Sequence, residues 1–142
     1  MQARQLRIVA PETCWLQRVA ASFGSMAQMS AKEVVDRYNH ALGAKDFAAA
    51  RGYLADDLRF QGPIDHFEKA DDYVTAITRL YGMARGVDHQ ATVAEGAEVA
   101  VFYILDTPVA KAPVAEWYTV GGGKITSLRA YFDARPFVPP SH

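Results

Sequence analysis

Cysteine is almost absent from this chain. Its 142 residues include one, Cys14, so no disulfide can close within it and no cysteine cluster can hold zinc. Histidine is scarce as well. His40, His66, His89 and His142 show neither the H-x-x-x-H nor the H-x-H spacing of a local metal site, and no metal or other cofactor is expected. An excess of one charge is missing too. The 15 Lys and Arg residues against 16 Asp and Glu leave a formal net charge of −1, so no broad field attracts nucleic acid or an anionic membrane. No stretch approaches the ~18 apolar residues that a bilayer span needs. Pro11, Glu12, Gln17 and Arg18 interrupt the N-terminal stretch that would form a signal-peptide core, and the expected location is the cytoplasm. No G-x-G-x-x-G, phosphate-binding P-loop or G-x-S-x-G is present, so the common nucleotide and serine-nucleophile signatures are missing.

What is present is enough for one ordinary domain. Half of the residues are apolar and 22% are charged, which supports a real core rather than disorder. Residues 1–29 read as an N-terminal extension, with Leu6, Ile8, Trp15, Leu16, Val19 and Phe23 loosely amphipathic; they form either a variable extension or an arm packed on a partner subunit. Residues 30–137 form the domain and 138–142 a C-terminal tail. Ser30 with Glu33 makes a capping box, and Val34, Val35, Tyr38, Ala41 and Leu42 follow at helical spacing as far as Gly43. A short helix is expected over 46–54 and a strand over 58–62. Residues 63–70 read as a loop, followed by a third helix over 71–84. From Val87 the period becomes two, giving strands over 87–95, 98–106, 113–120 and 124–133. Gly96 and Gly121-Gly122-Gly123 supply hairpin turns. Three helices and a lone strand before a meander make an α+β fold.

Strand parity adds a second expectation. Along 98–106, Val99, Val101, Tyr103 and Leu105 share one face, while Ala100, Phe102 and Ile104 share the other. Helices can cover only one apolar face, so a second copy of the chain is the expected cover for the other. In the last strand Leu128, Ala130 and Phe132 face one way, and Ile125, Ser127, Arg129 and Tyr131 the other. Glu116, next to Ala115, is assigned by parity to the outer face.

These residues resemble a known family. Val35-Asp36-Arg37-Tyr38, Ala41-Leu42, Asp46 and Leu54-Ala55-Asp56-Asp57 are similar to the opening of SnoaL-like, nuclear transport factor 2-like domains. Gly123-Lys124-Ile125-Thr126 through Arg129-Ala130-Tyr131-Phe132-Asp133-Ala134-Arg135-Pro136-Phe137 is similar to their closing strand. The resemblance covers about residues 31–137. It implies a cystatin-like cone, in which about three N-terminal helices pack on a strongly curved antiparallel sheet around a conical pocket. It also implies a homodimer through the convex sheet face.

The family's catalytic sets are largely missing. Ketosteroid isomerases use a first-helix tyrosine, matched by Tyr38, but the base and the second oxyanion donor fall at Gly62 and Ala115. The polar set of limonene epoxide hydrolases falls at Phe60, Gly62, Tyr103, Leu105 and Ala130. The late-strand acid of the polyketide cyclases also falls at Ala130. The expected function is binding of a small apolar ligand in the pocket, or cofactor-independent proton transfer on a carbonyl compound of isomerase or cyclase type. The alternative is a non-catalytic ligand-binding or protein-interaction module.

Parity turns Phe60, Val101, Tyr103, Trp117, Leu128 and Phe132 towards the pocket as ligand-binding candidates, with Leu105, Ala115 and Ala130 beside them; a filled core would use the same residues. Tyr38, Asp65 and His66 are the catalytic candidates. A buried phenol either donates to a ligand carbonyl or caps a backbone carbonyl. An acid beside a histidine supplies general acid–base groups or forms a solvated loop pair.

Overall fold

The computed structural model describes residues 29–138. Nearly all of the expected N-terminal extension and C-terminal tail lies outside the described residues. Helix α1 (Ala31–Gly43) begins at the expected capping box. Ser30 Oγ accepts from Glu33 N at 3.1 Å, and Glu33 Oε1 accepts from Ser30 N at 2.9 Å. Val34, Val35, Tyr38, Ala41 and Leu42 form its buried stripe. Asp46 caps the short α2 (Phe47–Gly52) by accepting from Ala49 N. There follow β1 (Leu54–Gln61), β2 (His66–Phe67), α3 (Ala70–Met83), β3 (Gly86–Glu95), β4 (Glu98–Asp106), β5 (Lys111–Gly121) and β6 (Lys124–Tyr131), then a 3₁₀ turn at Arg135–Phe137.

Three helices thus pack on a six-stranded curved sheet with the order β2-β1-β6-β5-β4-β3. The β1–β6 pair is parallel and the other neighbours are antiparallel. Gly96, Gly122 and Gly123 take positive φ values of 60°, 60° and 78° in the two hairpin turns, where a side chain would be strained. Pro113 lies inside β5 and faces Ile104 of β4. Pairing with β6 starts only at Ala115, so the ladder at Pro113 needs no donor on that side.

Three differences from the expected elements have physical causes. The first strand starts at Leu54, where a helix end was expected, because Ile125 N donates to Tyr53 O at 2.8 Å and captures the chain onto β6. The 63–70 loop contains a two-residue strand, with Phe60 facing Phe67 and Gln61 facing His66. The turn of that hairpin is closed by Gly62 N donating to Asp65 O at 2.9 Å. In the last strand, a bulge between Thr119 and Val120 of β5 shifts the register, so Ile125 points inward together with Leu128.

The main core lies between α1, α2 and the concave face. It contains Tyr38, Leu54, Leu58, Tyr118, Ile125 and Leu128, each almost fully buried. A smaller cluster of Leu105, Ala112 and Val114, joined by Leu80, Tyr103, Phe132 and Phe137, lies at the other end of the sheet. The space between the two clusters is not filled.

Candidate functional site

A cavity of about 420 Å³ occupies that space, within the usual range for a small-molecule site. The β1–β2 hairpin contributes Phe60, Gly62, Asp65 and Phe67. Helix α3 contributes Tyr73, Ala76, Ile77 and Leu80. The sheet adds Tyr103, Leu105, Val114 and Ala130, and Phe132 and Phe137 come from the C-terminal segment. Gly62 sits so close to Phe60 that a Cβ there would be 3.1 Å from the ring. A side chain at this position would have to push the Phe60 ring back by a few tenths of an ångström.

Two phenols bring polarity into this apolar lining, and both are backed by buried groups. Tyr73 and Tyr38 share a hydrogen bond between hydroxyls at 2.9 Å. Tyr103 Oη donates to Glu116 Oε2 at 3.0 Å, and Tyr118 Oη donates to Glu116 Oε1. Glu116 is 8% exposed. Burial raises its pKa, although the two tyrosine hydrogen bonds pull the other way. Burial also raises Tyr38, Tyr73, Tyr103 and Tyr118 well above the ordinary tyrosine value. The hydroxyls therefore stay protonated and act as donors.

The sequence-derived candidates are distributed as follows. Phe60, Tyr103 and Phe132 line the cavity. Val101 and Leu128 point inward but are buried in the main core. Trp117 is on the outer face and 42% exposed, so its expected inward orientation is corrected. Its neighbour Glu116 is inward, which reverses the parity assigned to β5. Glu116 is registered against Val101 and Ala130, both inside residues. The usual preference to bury tryptophan over glutamate is offset here because two phenols satisfy the carboxyl. Trp117 outside stacks under Arg129 at 4.1 Å, and its indole donates to Glu98 at 2.6 Å.

Tyr38 is 1% exposed and does not line the cavity; Tyr73 stands between. Asp65 lines the mouth. His66 is exposed, pairs with Gln61 and is not in the lining, as alternation along β2 requires. Sequence reasoning missed Tyr73 and Glu116 as site groups. Tyr73 is buried on the inner face of α3, and nothing local in the sequence indicates its contact with Tyr38.

Residues 35–128 match the model of the SnoaL-like domain. The chain belongs to the SnoaL-like family. No curated protein matches it. Solved structures do. An NTF2-like protein of unknown function from Cytophaga hutchinsonii is 27% identical, with 77% of this chain and 95% of that one covered and a TM-score of 0.68. An LEH-like epoxide hydrolase of M. tuberculosis is 25% identical over 75% of this chain and 84% of its own, with a TM-score of 0.62. A protein with a cystatin-like fold from Silicibacter pomeroyi, 16% identical over 70% and 73% of the two chains at a TM-score of 0.65, shares the fold.

This SnoaL-like chain differs from the epoxide-hydrolase pattern within the cavity itself. The five positions where the resemblance implied a polar set, Phe60, Gly62, Tyr103, Leu105 and Ala130, all line the hollow, and Tyr103 is the one among them with a polar side-chain atom. No group of three or more His, Cys, Asp or Glu residues among the described residues could hold a metal. No helix among them is long and apolar enough to cross a membrane.

Proposed function

We propose that this SnoaL-like protein binds a small, largely apolar molecule in its cone, where the phenol of Tyr73, backed by Tyr38, is the neutral polar contact of the inner wall. The observation that carries this reading is the unfilled 420 Å³ hollow, apolar throughout except for the Tyr73 and Tyr103 hydroxyls and Asp65. An apolar wall supplies affinity and a few fixed polar groups supply orientation. The experiment is a titration with an apolar fluorescent probe, comparing the native chain with a cavity-filled variant. Saturable binding that the filling weakens supports the assignment, and no saturable binding removes it.

A second reading, proton transfer on a carbonyl compound, is favoured by one observation. Glu116 is a carboxyl one hydroxyl away from the cavity, joined to it by the hydrogen bond from Tyr103, which gives a proton a path between the interior and the ligand. Tyr73, backed by Tyr38, would polarise the carbonyl, and Asp65 is the carboxylate within reach of the ligand. Exchange of α-hydrogens on a cyclic ketone in D2O, followed by NMR, is expected with the native protein and to be lost in Tyr103→Phe. Exchange at the buffer rate in both would dismiss catalysis and leave binding intact.

The reading includes a homodimer through the outer sheet face. Phe102, Trp117 and Tyr131 are 39%, 42% and 53% exposed on that face, and aromatic residues are the usual anchors of such contacts. Phe102→Asp should weaken self-association at least about tenfold, since a central anchor contributes ~2 kcal/mol or more. Analytical ultracentrifugation measures this, and a native monomer at all concentrations would refute the dimer.

A further inference from the structure

We propose that the cavity selects amphipathic amines, with an apolar body in the cone and a protonated amine at the mouth held by Asp65 and the neighbouring aromatic rings. This rests on the binding reading above and names its ligand class.

The cavity's charge is one-sided. Asp65 is the only charged side chain in the lining, and no Lys, Arg or His among the described residues joins it. Asp65 takes part in none of the ion pairs among the described residues, so its carboxylate is available to an incoming cation. Its place at the mouth follows from the hairpin. Phe67 faces Phe60 across β1 and β2, and Asp65 closes the turn that leads into β2, where its carbonyl accepts from Gly62 N. Both line the cavity.

Three aromatic rings stand at this wall. Phe60 is 4.9 Å from Tyr73 and 5.9 Å from Phe67, centroid to centroid, and Phe67 is 6.4 Å from Tyr73. Ring faces attract an ammonium group, and a carboxylate nearby adds to the attraction. An anionic head would find no counter-charge in the lining of the cone, since Arg129 lies in an adjoining pocket on Trp117's side of the sheet. At the mouth it meets Asp65; further in, the phenols are engaged by Glu116 and Tyr38. A neutral head is tolerated but gains nothing from Asp65.

The test uses ligands matched in chain length, namely octylamine, 1-octanol and octanoate, titrated by calorimetry at neutral pH into the native protein and into Asp65→Asn. Octylamine is expected to bind about three- to thirtyfold more tightly than octanol, from one exposed ion pair plus cation–π contact, with octanoate the weakest. In the variant, octylamine should fall to the level of octanol, octanol should not change and octanoate should improve. Octanoate binding as tightly as octylamine, or a preference that survives in Asp65→Asn, overturns the proposal. If octanol binds and the amine gains nothing, the charge selection fails while the binding reading stands. If none of the three binds, both fall.

Discussion

Glu116→Ala is expected to lose roughly 2–5 kcal/mol of folding stability, because it leaves two buried phenols without an acceptor and opens a void beside them. The hydroxyls of Tyr103 and Tyr118 both donate to this carboxyl, and each unsatisfied buried group costs about 1–3 kcal/mol. Glu116→Gln keeps the volume and one oxygen acceptor, so its loss should be smaller, about 1 kcal/mol. The more telling difference between the two lies in pH. Burial raises Glu116 above the ordinary glutamate value of 4.5, so the folded chain holds the proton more tightly than the unfolded chain does. The stability from this group is complete below 4.5 and is lost as pH rises through the raised folded value. Asp133 behaves oppositely. Arg135 holds it down to about 2, so its contribution is lost only as pH falls towards that value, outside the Glu116 window. The buried tyrosines are raised above their ordinary 10 and titrate above the window as well. Urea denaturation across the mildly acidic to neutral range should show native stability declining with pH while Glu116→Gln stays flat. Parallel slopes in the two proteins would mean that the carboxyl does not titrate in the interior.

Much of this architecture could be read from local signals. The capping box at Ser30 and Glu33 placed α1, the two glycine turns placed the β4 and β6 hairpins, and the two apolar faces of β4 separated inside from outside. The errors came where register overrides local pattern. Alternation alone cannot choose between Ala115–Trp117 and Glu116–Tyr118 as the inner set of β5. Hydrophobicity favours tryptophan, whereas the pairing of Glu116 with Val101 and Ala130 decides the matter. Ile125 was misplaced because a bulge in the β5–β6 pair has no sequence mark of its own. The candidate site suffered from the same limit. Asp65 lines the mouth of the cavity, whereas His66, grouped with it in the sequence, does not, because neighbouring residues along the hairpin point apart. Tyr38 matched by family position, and its hydroxyl partner Tyr73 lies 35 residues away on another helix. That contact depends on how α1 and α3 cross the sheet.

Filling the cavity with Ala130→Phe is expected to weaken ligand binding about ten- to a hundredfold, because a ligand must then displace or strain the ring at a cost of about 1–3 kcal/mol. Ala130 is 8% exposed and lies in the lining, so a phenyl group there enters space the ligand would use. Folding should be preserved or slightly improved, since the ring buries apolar surface in a void rather than in packed core. The control is Ala115→Phe. Residue 115 pairs with Tyr131, next to the Glu116–Ala130 pair, but faces outward, so the same added volume should leave ligand affinity unchanged and act only on self-association. Probe titration, thermal melting and sedimentation of the two variants separate these effects. Native affinity in Ala130→Phe would place the ligand elsewhere on the molecule. A loss of affinity in Ala115→Phe to match would mean that the outer face communicates with the cone. A loss confined to the inner variant ties binding to the hollow between α3 and the sheet, the same space that Tyr73, Tyr103 and Asp65 enclose.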